Sequence, residues 1–164
     1  MIDPASVRIN IDLTHQSLQL ETTEGQLLAA YPISTGLNGP GENDGSGCTP
    51  RGKHYIRASI GAGFPVGTVF RARRPTGETY SAELARKHPD RDWILTRILW
   101  LCGREWGRNR GPGVDTFRRF IYIHGTPDSE PMGVPLSHGC IRMRNADIVA
   151  LFDRVGPGTA VFIR

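Results

Sequence analysis

Apolar residues recur at every second position through much of this chain. Val7, Ile9, Ile11 and Leu13 alternate with Arg8, Asn10 and Asp12, so four aliphatic side chains share one face of a strand. Residues 17–21 and 27–33 read as the next two strands, with Thr23-Glu24-Gly25 as the turn between them. Strand character returns at 54–59, 68–72 and 159–163. The β-branched and aromatic run 94–101 also favours a strand. At 120–124, Phe120, Tyr122 and His124 fall on one face and Ile121 and Ile123 on the other, with His124 at the strand end before Gly125. Helical spacing is confined to two places. Residues 81–88 fit a short helix, and Ile148, Leu151, Phe152 and Val155 form an apolar stripe over 146–155. Asn145 stands at the N-cap of that second helix, and Gly156-Pro157-Gly158 closes it. The pattern predicts one mostly-β domain over residues 1–164 with few helices.

Segment 34–53 breaks the alternation. Gly36, Gly39, Gly41, Gly45, Gly47, Pro40 and Pro50 exclude a helix or a central strand. A loop of this length inside a compact domain is either mobile or functional. Residues 103–113 are also loop, and 75–92 show little regular period outside the short helix.

Composition adds bounds. A chain of 164 residues buries a real core without disulfide staples. Its net charge of +4, from 20 basic and 16 acidic residues, fits a solvated surface that attracts carboxylates better than a nucleic-acid interface. No apolar run approaches membrane-spanning length. The first twenty residues, with Asp3, Arg8 and Asp12, lack the apolar centre of an export signal. The expectation is a cytoplasmic protein, or a periplasmic one if a leader has been removed. Three cysteines make no disulfide framework and leave at least one thiol free, which suits a reducing compartment.

The chemistry is concentrated between His124 and Arg142, where two histidines and Cys140 lie among Gly125, Pro127, Gly133, Pro135 and Gly139. A cysteine attacks as thiolate, and a neighbouring imidazole that takes its proton lowers the thiol pKa through the resulting ion pair. Main-chain N–H groups at Gly139 and Cys140 are candidates to hold an oxyanion. His124, on a strand, is preferred as base, and His138 as an orienting or oxyanion-side group; the exchange of these roles stays open. Cys102 reads as a buried hydrophobe, Cys48 as an incidental loop thiol, and His15, His54 and His88 as structural or surface residues. Zinc held by His124, His138 and Cys140, with Asp128 or Asp147 as fourth ligand, is a weaker alternative, because the spacing matches no familiar zinc motif.

Ser137-His138-Gly139-Cys140-Ile141-Arg142-Met143, preceded by His124-Gly125, closely resembles the signature of the YkuD-type L,D-transpeptidases. Tyr31-Pro32-Ile33-Ser34-Thr35-Gly36 and Thr49-Pro50-Arg51-Gly52 are similar to two further motifs of that family, so the likeness spans roughly the whole chain. It implies a β-rich catalytic domain with sandwich- or barrel-like sheets and a few short helices. It implies Cys140 as nucleophile, His124 as general base oriented by the carbonyl of Gly125, and His138, Gly139 and Cys140 around the oxyanion. No cofactor or metal is implied. The implied partners are peptidoglycan stem peptides or muropeptides, attacked at the diaminopimelate–D-alanine bond, and carbapenem-type β-lactams that acylate Cys140. Arg142 is placed to meet a substrate carboxylate, or else forms a structural ion pair, for example with Asp147. Ser137 and Tyr122 are expected at the substrate, with Trp100 or Trp106 along the groove. The expected branch is an L,D-carboxypeptidase of murein recycling. Transpeptidation that forms 3→3 cross-links and a non-catalytic wall-peptide module are the alternatives.

Overall fold

A computed structural model describes residues 3–164. Ten strands join in one curled sheet: β1 (Val7–Asp12), β2 (Ser17–Thr22), β3 (Leu27–Pro32), β4 (Gly52–Ile60), β5 (Thr68–Arg71), β6 (Arg74–Thr79), β7 (Ile94–Gly103), β8 (Tyr122–Thr126), β9 (Ile141–Arg144) and β10 (Ala160–Ile163). Two short helices accompany them, α1 (Ala82–Lys87) and α2 (Asn145–Phe152). The strand order is β3-β2-β1-β10-β4-β7-β5-β6, and the sheet branches at β7, which also pairs β8, which in turn pairs β9. Ten residues let β7 carry three partners: β5 at Ile94 and Leu95, β4 from Ile98 to Gly103, and β8 from Leu95 to Trp100.

The main core follows from the alternation. Ile9 and Ile11 of β1, Leu18 and Leu20 of β2, Leu99 and Leu101 of β7 and Val161 of β10 are fully buried, and they meet Ile148 and Leu151 of α2. Each such side chain contributes about 1.5–3 kcal/mol on burial. Ile123 of β8 and Ile141 and Met143 of β9 point into the same core. Period two then puts Tyr122, His124, Cys140 and Arg142 on the opposite face. There a second, smaller cluster of Phe70, Ile98 and Tyr122 packs against Cys140.

Four expectations shift. The strand read at 120–124 starts at Tyr122 and runs on to Thr126, so His124 lies mid-strand rather than at its end. Phe120, at φ 58, is half-exposed and closes a turn whose bonds run Phe120 N–H to the Phe117 carbonyl and Ile121 N–H to the Thr116 carbonyl. The extension past Gly125 comes from β9, which pairs in parallel with Tyr122's strand through Ile123↔Ile141, His124↔Arg142, Gly125↔Met143 and Thr126↔Arg144. β6 occupies part of the stretch that had no readable period. At α2 the cap is Arg144 without a side-chain bond, and Asn145 is the first helical residue, buried and turned inward.

Candidate active site

The turn Ser137–Cys140 is built by both outlying motifs. Ser34 and Arg142 exchange main-chain hydrogen bonds at 3.0 and 2.8 Å, and the Ser137 N–H donates to the Thr35 carbonyl at 2.9 Å. The buried Thr49 hydroxyl accepts the Gly36 N–H at 2.9 Å and donates to the Gly139 carbonyl at 2.8 Å. Gly139 adopts φ +126, and a Cβ there would stand 2.9 Å from the Cys48 carbonyl oxygen, so the turn admits only glycine. The long loop is thus packed against the site. Arg119, half-buried, pins it further by donating to the carbonyls of Gly41, Glu42 and Cys48 and to the Ser46 hydroxyl.

Cys140 directly precedes β9, whose Arg142 pairs with His124, so period two sets Cys140 and His124 on the same sheet face, two residues apart in register. In the resting arrangement the thiol donates to the Phe120 carbonyl at 3.3 Å and accepts the Tyr122 N–H at 3.4 Å. Burial pushes the thiol up to about 12, against the Tyr122 N–H bond and the Arg142 and Arg119 cations that favour thiolate. His124 is fully buried, and its Nδ1 lies 2.7 Å from the Gly125 carbonyl. A carbonyl only accepts, so Nδ1 carries the proton and Nε2 keeps its lone pair. Burial lowers the His124 pKa, and the Gly125 bond and the Asp92 charge work against that lowering. Both groups are therefore neutral at rest. The preformed thiolate–imidazolium pair expected from sequence is replaced by a neutral pair, because burial penalises the charged form of each.

Other expected roles move. Ser137 is 3% exposed, and its hydroxyl is spent inside the turn: it donates to the Cys140 carbonyl at 2.6 Å and accepts the Gly139 N–H at 3.1 Å. It ties the turn together and occupies the Gly139 N–H, which the sequence offered as an oxyanion donor. Tyr122 touches the thiol through its backbone. Its ring is 4% exposed, and its hydroxyl accepts a bond from Arg73 at 3.0 Å. Trp100 stacks on Phe117 with centroids 4.0 Å apart, while Trp106 is exposed beside Gly111. His138 presents its ring to solvent, with Nδ1 3.4 Å from Asp92, and the Gly125 carbonyl, not His138, orients His124. Arg142 is nearly buried and pairs with Asp92 at 3.0 Å, in place of Asp147. Among the described residues, no three His, Cys, Asp or Glu side chains are grouped to hold a metal ion. His54 is buried against the Thr116 hydroxyl, with its pKa pushed down to about 4 by burial. Cys102 is buried, and Cys48 borders the turn at Gly139.

Sequence pattern does not single out Asp92, Arg119 or Asn145 as site residues. Asp92 lies in the stretch without period, Arg119 among several arginines, and Asn145 reads from sequence as a cap. Asn145 instead donates to the Thr126 carbonyl at 3.0 Å and to Asp128 at 3.2 Å, and accepts from the Thr96 hydroxyl. Thr96, at φ 75, sits in the β7 bulge. Thr96 and Asn145 close over Gly125, where a Cβ would meet the Leu95 carbonyl at 2.6 Å and Asn145 Oδ1 at 2.7 Å. Asn145→Ala leaves buried polar partners unmatched and is expected to destabilise the fold by about 2–3 kcal/mol. Thermal melts of the variant beside the parent measure this, and an unchanged melting temperature contradicts it.

The family model for the YkuD L,D-transpeptidase catalytic domain matches residues 6–163, and the chain belongs to that family. The probable L,D-transpeptidase ErfK/SrfK of Escherichia coli strain K12 is 33% identical over 116 residues, covering 61% of this chain and 36% of that protein. An L,D-transpeptidase structure from Mycobacterium smegmatis superposes with a TM-score of 0.56 at 20% identity, covering 98% of this chain and 59% of that one. L,D-transpeptidase 3 of Mycobacterium tuberculosis, solved with a faropenem-derived adduct, gives 0.59 at 15% identity, covering 97% and 60%. This chain therefore spans about a third of the curated relative and about three fifths of the solved chains.

Proposed function

We propose that this protein transfers an acyl group from a peptidoglycan stem tetrapeptide through a thioester on Cys140, with His124 as general base and water as acceptor. The observation that carries the reading is the single tautomer of His124, whose free Nε2 lies on the sheet face that holds the thiol. Cys140 Sγ leaves the Phe120 carbonyl, gives its proton to Nε2 and attacks the carbonyl before the D-alanine. The Cys140 N–H is the main-chain donor left for the oxyanion, since that of Gly139 is taken. His124 returns the proton to the departing amine, and water then releases a tripeptide. A cavity of about 120 Å³ beside His138 and Arg142 is lined also by Asp92 and Glu130. Three unpaired thiols fit a reducing compartment, and with it the recycling of soluble muropeptides.

An amine acceptor is the second reading, favoured by relatives named as probable L,D-transpeptidases. Incubation with a disaccharide tetrapeptide and a D-amino acid separates the two by product mass. The expected product is the tripeptide. Predominant amine exchange or cross-linked dimer overturns the hydrolytic assignment, and no turnover of any stem peptide overturns the substrate class.

A further inference from the structure

The parallel register of β8 and β9 sets His124 directly beside Arg142, at a strand spacing of about 4.8 Å. Proton transfer breaks the S–H bond, leaves its electron pair on sulfur and forms an N–H bond at Nε2. The product is an imidazolium next to a permanent guanidinium. The thiolate half of that pair has the Tyr122 N–H, Arg119 and Arg142 to stabilise it. The imidazolium half has the Gly125 carbonyl and one anion, Asp92.

Asp92 reaches the site from the loop between α1 and β7. Its Oδ1 accepts from Arg142 Nη2 at 3.0 Å, and its Oδ2 lies 3.4 Å from His138 Nδ1. Arg91, Asp90 and Glu130 border the same small cavity. Asp92 keeps 41% of its side chain exposed; its partial desolvation opposes ionisation, but the fields of His124, Arg142 and His138 and the Arg142 bond outweigh it and keep the carboxyl below its ordinary value. Of the two charges acting on the imidazole, Asp92 acts more strongly than Arg142. Asp92 also opposes the thiolate, where Arg142 and Arg119 act against it.

We propose that Asp92 is a positioning residue for the His124 base: its carboxylate offsets the Arg142 guanidinium, so that His124 can carry the Cys140 proton. This rests on the reading of Cys140 and His124 as nucleophile and base. The test follows the His124 imidazole by NMR titration, its resonance assigned by loss in His124→Gln, together with the pH dependence of Cys140 alkylation by iodoacetamide. That probe is small and uncharged, so binding of a substrate carboxylate does not enter.

Asp92→Asn is expected to lower the His124 midpoint by roughly one pH unit, and the acid limb of alkylation moves with it. Adding Arg142→Gln to Asp92→Asn is expected to bring the midpoint back up, and Asp92→Glu to retain the parental value. An unmoved midpoint in Asp92→Asn with an unchanged melting curve overturns the proposal, as does a double variant that titrates like Asp92→Asn alone. If His124→Gln keeps the parental alkylation profile, the base assignment itself falls, and the proposal falls with it.

Discussion

Cys140→Ala is expected to abolish release of D-alanine from a stem tetrapeptide, with a loss of roughly 10⁴–10⁶-fold in turnover. The sulfur is the atom proposed to form the acyl bond, and the nearby Ser137 hydroxyl is engaged within the turn. Removing it leaves the oxyanion donor and the binding surface, which alone give a small residual rate. The fold should survive. The thiol has two weak contacts, to the Phe120 carbonyl and the Tyr122 N–H, and deleting one sulfur costs about 1 kcal/mol. The same variant separates the cysteines. A carbapenem such as imipenem is expected to add its mass once to the parent and not to Cys140→Ala. A mass gain that persists in the variant places acylation on Cys48 or Cys102 and removes Cys140 from the mechanism.

What the sequence made legible was local. Alternation at Val7, Ile9 and Ile11, and again at Ile121 and Ile123, reveals strands and which faces they bury, because side chains reverse at each residue whatever the partner. Pairing partners are not encoded in that period. β9 is only Ile141–Arg144, too short to stand out, and without it neither the extension of β8 to Thr126 nor the placing of Arg142 beside His124 is visible. The segment Ser137–Cys140 announces its chemistry by residue type. Its supports do not: Thr49 is ninety positions from Gly139, and Asp92 fifty from Arg142. The electrostatic state also inverts what the residue pair suggests. A cysteine near a histidine implies an ion pair in water-like surroundings. Here burial of both groups favours the neutral forms, a consequence of packing that no spacing of residues discloses.

That inversion gives His124→Ala a distinctive signature beyond a rate loss of about 10³-fold or more at neutral pH. With the thiol pushed up to about 12 and the imidazole lowered below its ordinary 6.5, the parent enzyme has one titrating group that matters in the acid range. Below the His124 midpoint the imidazole is protonated and cannot accept the thiol proton, so acylation falls as pH falls. Above it the base is free and the thiol still holds its proton, so the rate is flat through neutrality into the alkaline range. Without His124 the only nucleophile is thiolate formed by free ionisation. The residual rate then climbs tenfold per pH unit across that same plateau and is still climbing at pH 10, because the thiol's own midpoint lies near 12. Single-turnover acylation by imipenem from pH 5 to pH 10, followed by intact mass, measures both curves. A plateau retained in His124→Ala would assign the proton to another acceptor, such as the exposed imidazole of His138, two residues before Cys140. A parent profile that falls off above neutrality would instead restore the preformed ion pair.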